Sequence, residues 1–467
     1  MTSTLGRRRW LQGSACGFGA LALQSLLTSP TLATSSLAGA PKQPLPAAKR
    51  IIFLFMQGGV SQVDSFDYKP LINQRAGEVL TFADARQLAK VGRNTEQTLL
   101  ATPWSFSQYG QSGRWVSELF PHMAKHVDDL CFLHAMHTNG VAHGPATLFL
   151  HCGAMQEARP SFGSWVLYGL GADNQNLPGF VSIAPSLGNG GVRNYGNAFL
   201  PTNCQGSPIG SPSTEPLEIA ALQSPFSNER ETARRELLRR VNQHQAAKLG
   251  ASDELNGVLE SHELAWRMQA VAPEVLDLTQ ETAETQQAYG LDQPQTRSYG
   301  RRCLLARRMC EAGVRFIQVN YGDNSANPAW DQHSNLPKHA EHAGAVDQPI
   351  AALLADLKQR GLLEDTIVWW GSEFGRTPYS ENNGTGRDHN PNGFTMWVAG
   401  GGFKPGFAYG ETDEFGFQGI RGRVHMHDLH ATLLHQLGLN HLELTYQHAG
   451  RDFRLTDVHG HIVHDIF

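Results

Sequence analysis

Ionisable side chains are concentrated in the segment from Asp365 to Gly402, between two apolar runs. The first run, Thr366 to Trp370, has no alternation of polar and apolar residues, which is typical of a strand buried on both faces of a mostly parallel sheet. Ligands bind at the carboxyl ends of such strands, so the charged groups that follow it predict a functional site. Taken singly, each of these groups is more often part of an ordinary ion pair or a solvated loop. The group consists of Glu373, Arg376, Arg387, Asp388 and His389.

A second group of candidate ligands follows the apolar run Val314 to Val319. Asp331 and His333 stand two residues apart, a spacing that lets both face one metal ion, and His339, Glu341 and His342 are further candidates. Carboxylates and imidazoles together suit Zn, Mn or Fe, whereas a set of oxygen ligands alone would favour Ca or Mg. The chain has no CxxC or HExxH spacing, which argues against a structural zinc site and against a metalloprotease.

Two more polar groups follow apolar runs nearer the N-terminus. The run of residues 51–56 leads into Gln57, Asp64 and Asp67, and an Asp in such a loop is often only a turn former or helix cap. The run of residues 127–136 leads into a histidine-rich segment at the start of a predicted helix, whose unpaired N–H groups favour an anion. For these histidines, ligation and ordinary core hydrogen bonding both stay open. The segment contains His137, Thr138, Asn139, His143, Thr147 and His151.

The elements that must position these residues are strands separated by helices, which predicts the α/β class. Strands are expected at 51–56, 127–136, 314–319, 366–370 and 394–399, and an amphipathic helix at 343–360. This order places Asp331, His333, Glu373 and His389 at successive carboxyl ends of one sheet. Residues 215–312 have apolar residues at helical spacing between charges, and they are predicted to form a mainly helical insertion.

The N-terminus has the pattern of an export signal. Arg7, Arg8 and Arg9 precede Trp10 and a short apolar, glycine-containing run, and a Ser/Thr/Ala/Pro-rich stretch follows. This pattern predicts a twin-arginine signal and linker over residues 1–40 and a periplasmic or secreted location. The length that follows fits two or three domains, and it fits equally a single large α/β domain over 47–467 with an insertion. The apolar run is shorter than the about 20 residues of a membrane-spanning helix, so no stable membrane insertion is expected.

Composition narrows the classes of partner. The chain has 467 residues and a formal net charge of −5, with 38 basic and 43 acidic residues. Without the three signal arginines the acidic excess grows, and no basic tail or stripe is left, so nucleic acid is not an expected partner. Six cysteines are few for a disulfide scaffold, whereas 21 histidines are an excess that metal binding would explain.

Several motifs together resemble one family. With the twin-arginine pattern, the stretches FMQGGVSQVDSFDYKP, AWDQHSN, SEFGRTP, GRDHNP and LTDVHGHIV resemble the domain-of-unknown-function 1501 family of exported bacterial proteins, over nearly the whole mature chain. That family is related to sulfatases and alkaline phosphatases. The resemblance implies an alkaline-phosphatase-like α/β/α sandwich with a mostly parallel central sheet, one or two divalent ions, and hydrolysis of phosphate or sulfate esters.

Residue by residue, the resemblance is incomplete. Asp331 and His333 resemble the relatives' Asp and His metal pair, and His389 resembles their later metal histidine. Gln57 stands where relatives have a metal-binding Asp, which leaves Asp64 or Asp67 as substitutes. The motif Glu373-Phe374-Gly375 stands in place of Asp-His-Gly, so the carboxylate is kept and the imidazole is not.

The nucleophile position also departs from the sulfatase pattern. His143 stands in HGPATLFLHCG, where sulfatases have a modifiable cysteine, so formylglycine chemistry is excluded. His143 is instead a candidate metal ligand, general base or nucleophile.

The resulting prediction is metal-assisted hydrolysis of a small anionic ester or of a sulfated or phosphorylated glycan. His143, Arg376 and Glu373 are the predicted catalytic residues, with Arg376 clamping the anionic group bidentately. The ion is Zn or Mn, with Ca as an alternative. A non-catalytic, metal-stabilised secreted binding protein of the same fold is the competing hypothesis, and the missing nucleophile favours it. The predicted ligands are Asp64, Asp331, His333, Glu373, Asp388 and His389.

Overall fold

Apolar runs separated by turn-forming residues give this chain the strands of one large mixed sheet. The computed structural model describes residues 46–82, 96–214, 217, 227–249, 253–381 and 384–467. The signal peptide and linker predicted for residues 1–40 lie outside these ranges. The described strands are β1 (Arg50–Met56), β2 (Val79–Thr81), β3 (Glu96–Thr98), β4 (Phe106–Tyr109), β5 (Arg114–Ser117), β6 (Leu130–His137), β7 (Phe180–Ile183), β8 (Ser207–Ile209), β9 (Phe316–Tyr321), β10 (Thr366–Gly371), β11 (Gly375–Ser380), β12 (Arg387–Asn390), β13 (Phe394–Ala399), β14 (Phe407–Tyr409), β15 (Glu411–Thr412), β16 (Gly419–Arg421), β17 (Val424–His425), β18 (Tyr446–His448) and β19 (Arg451–Phe453).

Helices lie between these strands and after them. The described α-helices are α1 (Pro70–Gln74), α2 (His143–Cys152), α3 (Phe162–Leu170), α4 (Asn228–Leu249), α5 (Asp253–Leu276), α6 (Ala283–Ala288), α7 (Pro294–Glu311), α8 (Lys338–Gln359) and α9 (Met426–Gln436). Helices α4 to α7 occupy most of the described part of residues 215–312, the segment predicted to be an insertion. Among the described residues, no helix combines the length and apolarity that crossing a bilayer requires.

The central sheet is mostly parallel, as predicted. Its strand order is β14-β6-β13-β10-β1-β9-β7-β8, and β17 also pairs with β6. Strand β1 is parallel to both neighbours, with Ile52 opposite Val368 of β10 and Ile317 of β9. Strand β13 is antiparallel to both β10 and β6. The carboxyl ends of β1, β9 and β10 therefore meet at one edge.

The two faces of β1 contribute to two separate hydrophobic cores. Ile52 and Leu54 join one cluster with residues of α7 and α8. Ile51 and Phe53 join the other with residues of α2, α3 and α9. Because successive side chains of a strand point to opposite faces, this apolar run is covered by helices on both sides. The chain thus has the predicted α/β class, with helices flanking a buried sheet.

Element boundaries differ from the predictions by a few residues, except at one place. The segment after β10 was expected to be an active-site loop, but it contains the antiparallel pair β11 and β12. Both strands are nearly fully buried. Their sequence lacks the apolar alternation of a strand because the buried side chains include Arg376, Arg387 and Asp388, which are satisfied by polar partners.

Candidate metal centre

Three imidazoles and one carboxylate converge beyond the carboxyl ends of β1, β9 and β10. His143 is the first residue of α2, Asp331 and His333 lie in the segment after β9, and His389 belongs to β12. One ligand atom from each of these four residues lies within 4.8 Å of the others. These four residues could hold a metal ion, and we call them the metal centre. Residues separated by up to 246 positions in the chain are thus brought together.

Asp331 is the middle of the metal centre. Its Oδ2 lies 3.1 Å from His143 Nε2. Its Oδ1 lies 2.8 Å from His333 Nε2 and 3.2 Å from His389 Nε2. The Nε2 atoms of His333 and His389 are themselves 3.0 Å apart. All three rings therefore present the same nitrogen to one carboxylate.

The other ring nitrogen of each histidine is held by an oxygen acceptor. His143 Nδ1 is 2.6 Å from Glu373 Oε1, and His389 Nδ1 is 3.1 Å from the carbonyl oxygen of Val141. His333 Nδ1 contacts Glu381 Oε2. Carboxylates and carbonyls only accept, so Nδ1 carries the proton, and in the neutral ring the lone pair is at Nε2. This is the arrangement by which metal-binding histidines are oriented in proteins.

Without a cation, the metal centre must hold extra protons. Burial lowers the pKa of His333, but its hydrogen bonds to Asp331 and Glu381 outweigh burial and raise that pKa to about 9. Burial alone would raise the pKa of Asp331, yet the three histidines and Arg376 lower it well below its usual range. His143 Nε2 is buried and lies 3.1 Å from Asp331 Oδ2 without the geometry of a hydrogen bond. Three nitrogens and a carboxylate oxygen fit a divalent ion of the Zn or Mn type.

Glu373, a predicted metal ligand and catalytic residue, lies behind His143. Its carboxylate is fully buried and accepts hydrogen bonds from the Gly58 N–H at 3.0 Å and from Ser372 Oγ at 2.9 Å, besides the contact with His143. It is not among the atoms that converge on the metal centre. In this structure Glu373 fixes the orientation of His143.

Asp64 was predicted as a ligand of a second ion, but the structure places it in a buried ion pair. Its Oδ2 is 2.7 Å from Arg387 Nε and its Oδ1 is 3.1 Å from Arg387 Nη2. Ser61 Oγ donates to Oδ2 at 2.5 Å. Burial would raise the pKa of Asp64, but Arg387 and these hydrogen bonds lower it. Its lone pairs are thus directed at a guanidinium, because Arg387 comes from β12 beside it.

Arg376 was predicted to clamp the anionic group of a substrate, but its guanidinium is turned inward. The side chain is fully buried. Its Nε donates to Gly59 O at 2.9 Å, Nη1 to Arg387 O at 3.1 Å, and Nη2 to Asp331 Oδ1 at 2.7 Å and to Gly58 O. The three bonds to backbone carbonyls fix the guanidinium, and its bond to Oδ1 holds Asp331 in position. In this structure Arg376 therefore orients a residue of the metal centre.

Glu381 is a residue that the sequence interpretation missed, and Asp388 lies beside it. These two carboxylates and His333 form a second group that could hold a cation. Asp388 Oδ1 accepts the His389 N–H at 2.7 Å and lies 3.9 Å from His333 Nδ1. Only the pairing of β11 with β12 brings Glu381 to His333, and one acid at the end of SEFGRTPYSE gave no signal of this.

Other polar residues take structural roles, among them His339 and Asp67, which the sequence had offered as candidates. His427 Nε2 bonds Gly153 O at 2.9 Å, and Asp428 caps α9 by accepting the His425 N–H at 2.9 Å. His339 accepts the Ser61 N–H at 3.3 Å, and burial lowers its pKa to about 3. Asp67 pairs with Lys69 at 3.2 Å. These residues lie outside the two groups that could hold a cation.

Solved structures with some similarity to this chain include a sulfatase, a lipoteichoic acid synthase and an alkaline phosphatase. A sulfatase, PsFucS1 from Pseudoalteromonas sp., is 13% identical with a TM-score of 0.37, over 84% of this chain and 68% of that one. The lipoteichoic acid synthase LtaP from Listeria monocytogenes is 7% identical with a TM-score of 0.38, over 93% and 80%. An alkaline phosphatase from the Antarctic bacterium TAB5 is 12% identical with a TM-score of 0.34, over 84% and 98%. Scores this low say nothing about the chemistry of this chain.

The sequence comparisons give one positive result. The model of a family described as "Protein of unknown function (DUF1501)" matches residues 48–467. No curated protein is detectably similar in sequence. The match confirms the resemblance stated from the motifs over the whole described part of the chain except its first two residues.

Proposed function

This chain belongs to the DUF1501 family of proteins of unknown function, and from that premise we propose that it is a divalent-metal-dependent hydrolase of phosphate or sulfate esters. One observation carries the proposal: three histidines, each anchored through Nδ1, direct Nε2 at the carboxylate of Asp331. Zn and Mn are the proposed ions because the donor set mixes imidazole and carboxylate. A divalent ion bound there would act as a Lewis acid on the ester oxygen and would acidify a water molecule.

The protein's own residues have separate tasks in this proposal. His143, His333, His389 and Asp331 bind the ion. Glu373, Glu381 and the Val141 carbonyl hold the proton on Nδ1 of the three rings, which leaves the lone pair of each neutral ring on Nε2. Arg376 neutralises part of the charge of Asp331 and prevents it from turning away. The four binding residues include no serine, threonine or cysteine, so we propose water as the nucleophile.

The start of helix α2 supplies a place for the anionic part of a substrate. The backbone N–H groups of the first turn of a helix lack intrahelical partners and carry partial positive charge. His143 and Gly144 provide such groups beside the metal centre. A side chain at Gly144 would meet no atom within 4 Å, so this turn is open to an approaching anion. A phosphate or sulfate ester fits this charge, whereas a neutral ester would gain little from it.

The test combines metal content with turnover. The purified full-length chain is assayed on aryl phosphate and aryl sulfate esters with added Zn, Mn or Ca, and bound metal is measured by plasma mass spectrometry. We expect turnover with Zn or Mn, and loss of both metal and turnover in His389→Ala. The matched control is His244→Ala, at an exposed histidine of α4, which should leave both unchanged. Metal binding without turnover on either ester would overturn the hydrolase proposal.

A second function, a metal-stabilised binding protein without turnover, is favoured by one observation. Arg376 uses its donors inside the protein and cannot also clamp a substrate. In this case the ion would stabilise the fold, and metal removal would lower the melting temperature while no ester was hydrolysed at any metal concentration. Export through the twin-arginine pathway is also proposed, on the strength of Arg7 and Arg8. Fusing residues 1–45 to a folded reporter tests it, and replacing both arginines by lysine should retain the reporter in the cytoplasm.

A further inference from the structure

A small pocket lies beside the hairpin of β4 and β5, and its residues are not those of the metal centre. Its volume is about 140 Å³. Pockets for drug-sized ligands measure about 300–1,000 Å³, so this one accommodates a single ring. Tyr68, Trp115 and Arg114 are among the residues that line it, together with Asp67 and His134. We call it the hairpin pocket.

One wall of the hairpin pocket is aromatic and accessible. The rings of Tyr68 and Trp115 lie 4.5 Å apart between centroids, and Tyr68 also stacks on Phe106 at 5.0 Å. Trp115 is 40% exposed, which is high for so large an apolar side chain. An exposed indole beside a pocket can bury the apolar face of a ring-shaped ligand.

Arg114 gives the hairpin pocket a positive charge. Over the described ranges of the chain, its guanidinium makes neither a hydrogen bond nor an ion pair, and its Nε atom is buried without a partner. The nearby carboxylate of Asp128 accepts instead from the N–H groups of Gln111 and Ser112, at 2.7 and 2.8 Å. Those two bonds also hold the turn of the hairpin. Arg114 is therefore a positioned cation with free donors, which matches an anionic group.

The remaining polar groups distinguish among small anions. Asp67 is nearly buried and neutralised by Lys69 at 3.2 Å, and it accepts Thr412 Oγ1 at 2.5 Å. A carboxylate has about four lone-pair positions, so Asp67 can accept further hydroxyl donors. His134 shares Nδ1 with Thr395 at 3.2 Å, and burial lowers its pKa so that the ring is neutral at pH 7. A ligand with both hydroxyls and an anionic group satisfies this set, whereas an aromatic acid leaves the acceptors unused.

We propose that the hairpin pocket binds an anionic sugar ring, with its apolar face on Trp115, its anionic group on Arg114 and its hydroxyls on Asp67. The ring enters as a single residue, either as a free hexuronate or as one unit of an acidic polysaccharide. Sugar binding does not depend on the metal centre, because no residue that lines the hairpin pocket belongs to the metal centre. The hairpin pocket thus provides recognition of acidic sugars separate from any hydrolysis.

Titration calorimetry of the full-length chain with sodium glucuronate tests the proposal, with glucose as the neutral counterpart. We expect glucuronate to bind and glucose to bind about tenfold more weakly or not at all, because a charge-assisted hydrogen bond is lost. Arg114→Gln should weaken glucuronate binding about tenfold or more, and Trp115→Ala should weaken both sugars. The matched control is Arg193→Gln, which removes an exposed arginine elsewhere and should change nothing.

Three outcomes would overturn the proposal. The first is unchanged glucuronate affinity in Arg114→Gln. The second is binding that disappears with EDTA yet survives in Arg114→Gln, because glucuronate would then be a ligand of the metal centre. The third is tighter binding of benzoate than of glucuronate, which would assign the hairpin pocket to aromatic acids. A linear oligouronate of three sugar units serves as a second probe. If the hairpin pocket takes one unit of a polysaccharide, this trisaccharide should bind to the protein at least as tightly as glucuronate does.

Discussion

The carboxylate of Asp64 has two possible roles, as the ion-pair partner of Arg387 or as a metal ligand, and substitutions in this buried pair distinguish between them. Both side chains are 0% exposed, and two hydrogen bonds of 2.7 and 3.1 Å join them. Removing one partner of such a pair leaves an uncompensated buried charge, which costs about 3–5 kcal/mol of unfolding free energy. We therefore expect Asp64→Asn to destabilise the fold by that amount and Arg387→Met to do the same.

The double variant gives the sharper result. When both charges are replaced by uncharged groups of similar volume, much of the loss should be recovered, since the pair itself contributes little over an apolar contact. The coupling energy from the double-mutant cycle should then be several kcal/mol. Urea unfolding with EDTA present measures it, which keeps metal binding out of the comparison.

Metal content provides the refuting result. If Asp64 is only an ion-pair partner, Asp64→Asn that is still folded binds as much Zn or Mn as the wild-type chain. If this variant loses one equivalent of metal and its unfolding free energy falls by less than about 1 kcal/mol, the buried-pair reasoning is wrong. Asp64 would then be the second-site ligand that the sequence had suggested.

Two further predictions concern acid stability and the orientation of a metal ligand. Burial lowers the pKa of His430 from 6.5 to about 3, so the stability that the neutral ring contributes is present above pH 6.5 and is lost as the pH falls towards 3. Between pH 6.5 and 4.5 the loss is about 2 kcal/mol, because the unfolded imidazole is half protonated at pH 6.5 and the slope approaches about 1.4 kcal/mol per pH unit only below that. His430→Gln, which keeps a donor for Leu150 O, should show a shallower fall in urea-unfolding free energy over this range, and an unchanged slope would contradict the assignment. Glu381→Ala should weaken Zn binding about 10–100-fold by releasing His333 Nδ1, whereas Glu364→Ala, at an exposed acid, should not. Equal affinities in a competition titration with a chelator would show that Glu381 does not orient the ligand.

The described cysteines illustrate a limit of counting residues. Five cysteines remained after the predicted signal, an odd number that left at least one thiol unpaired. All five are buried and unbonded in the structure. Burial raises the pKa of Cys131 and Cys152 to about 12, so these thiols are protonated and unreactive at neutral pH.

The sequence by itself predicted the main strands of the central sheet and three residues of the group that could hold a cation. Strand β13, predicted at residues 394–399, has those bounds, and β10 differs by one residue. Long apolar runs can only be buried, and their period reports the element that buries them. Asp331, His333 and His389 were found because polar residues that directly follow such runs must lie at the sheet edge.

Only the tertiary structure decided which charged groups face one another. Asp64 and Asp331 are the same side chain in similar positions after a strand, yet one pairs with Arg387 and the other with three histidines. The outcome depends on the hairpin of β11 and β12, which delivers Arg376, Arg387 and His389 from one segment. Side-chain type limits the possible partners of a carboxylate. Which partner it takes depends on which residues, far apart in sequence, the fold brings to within about 3 Å of it, and no local sequence pattern encodes that distance.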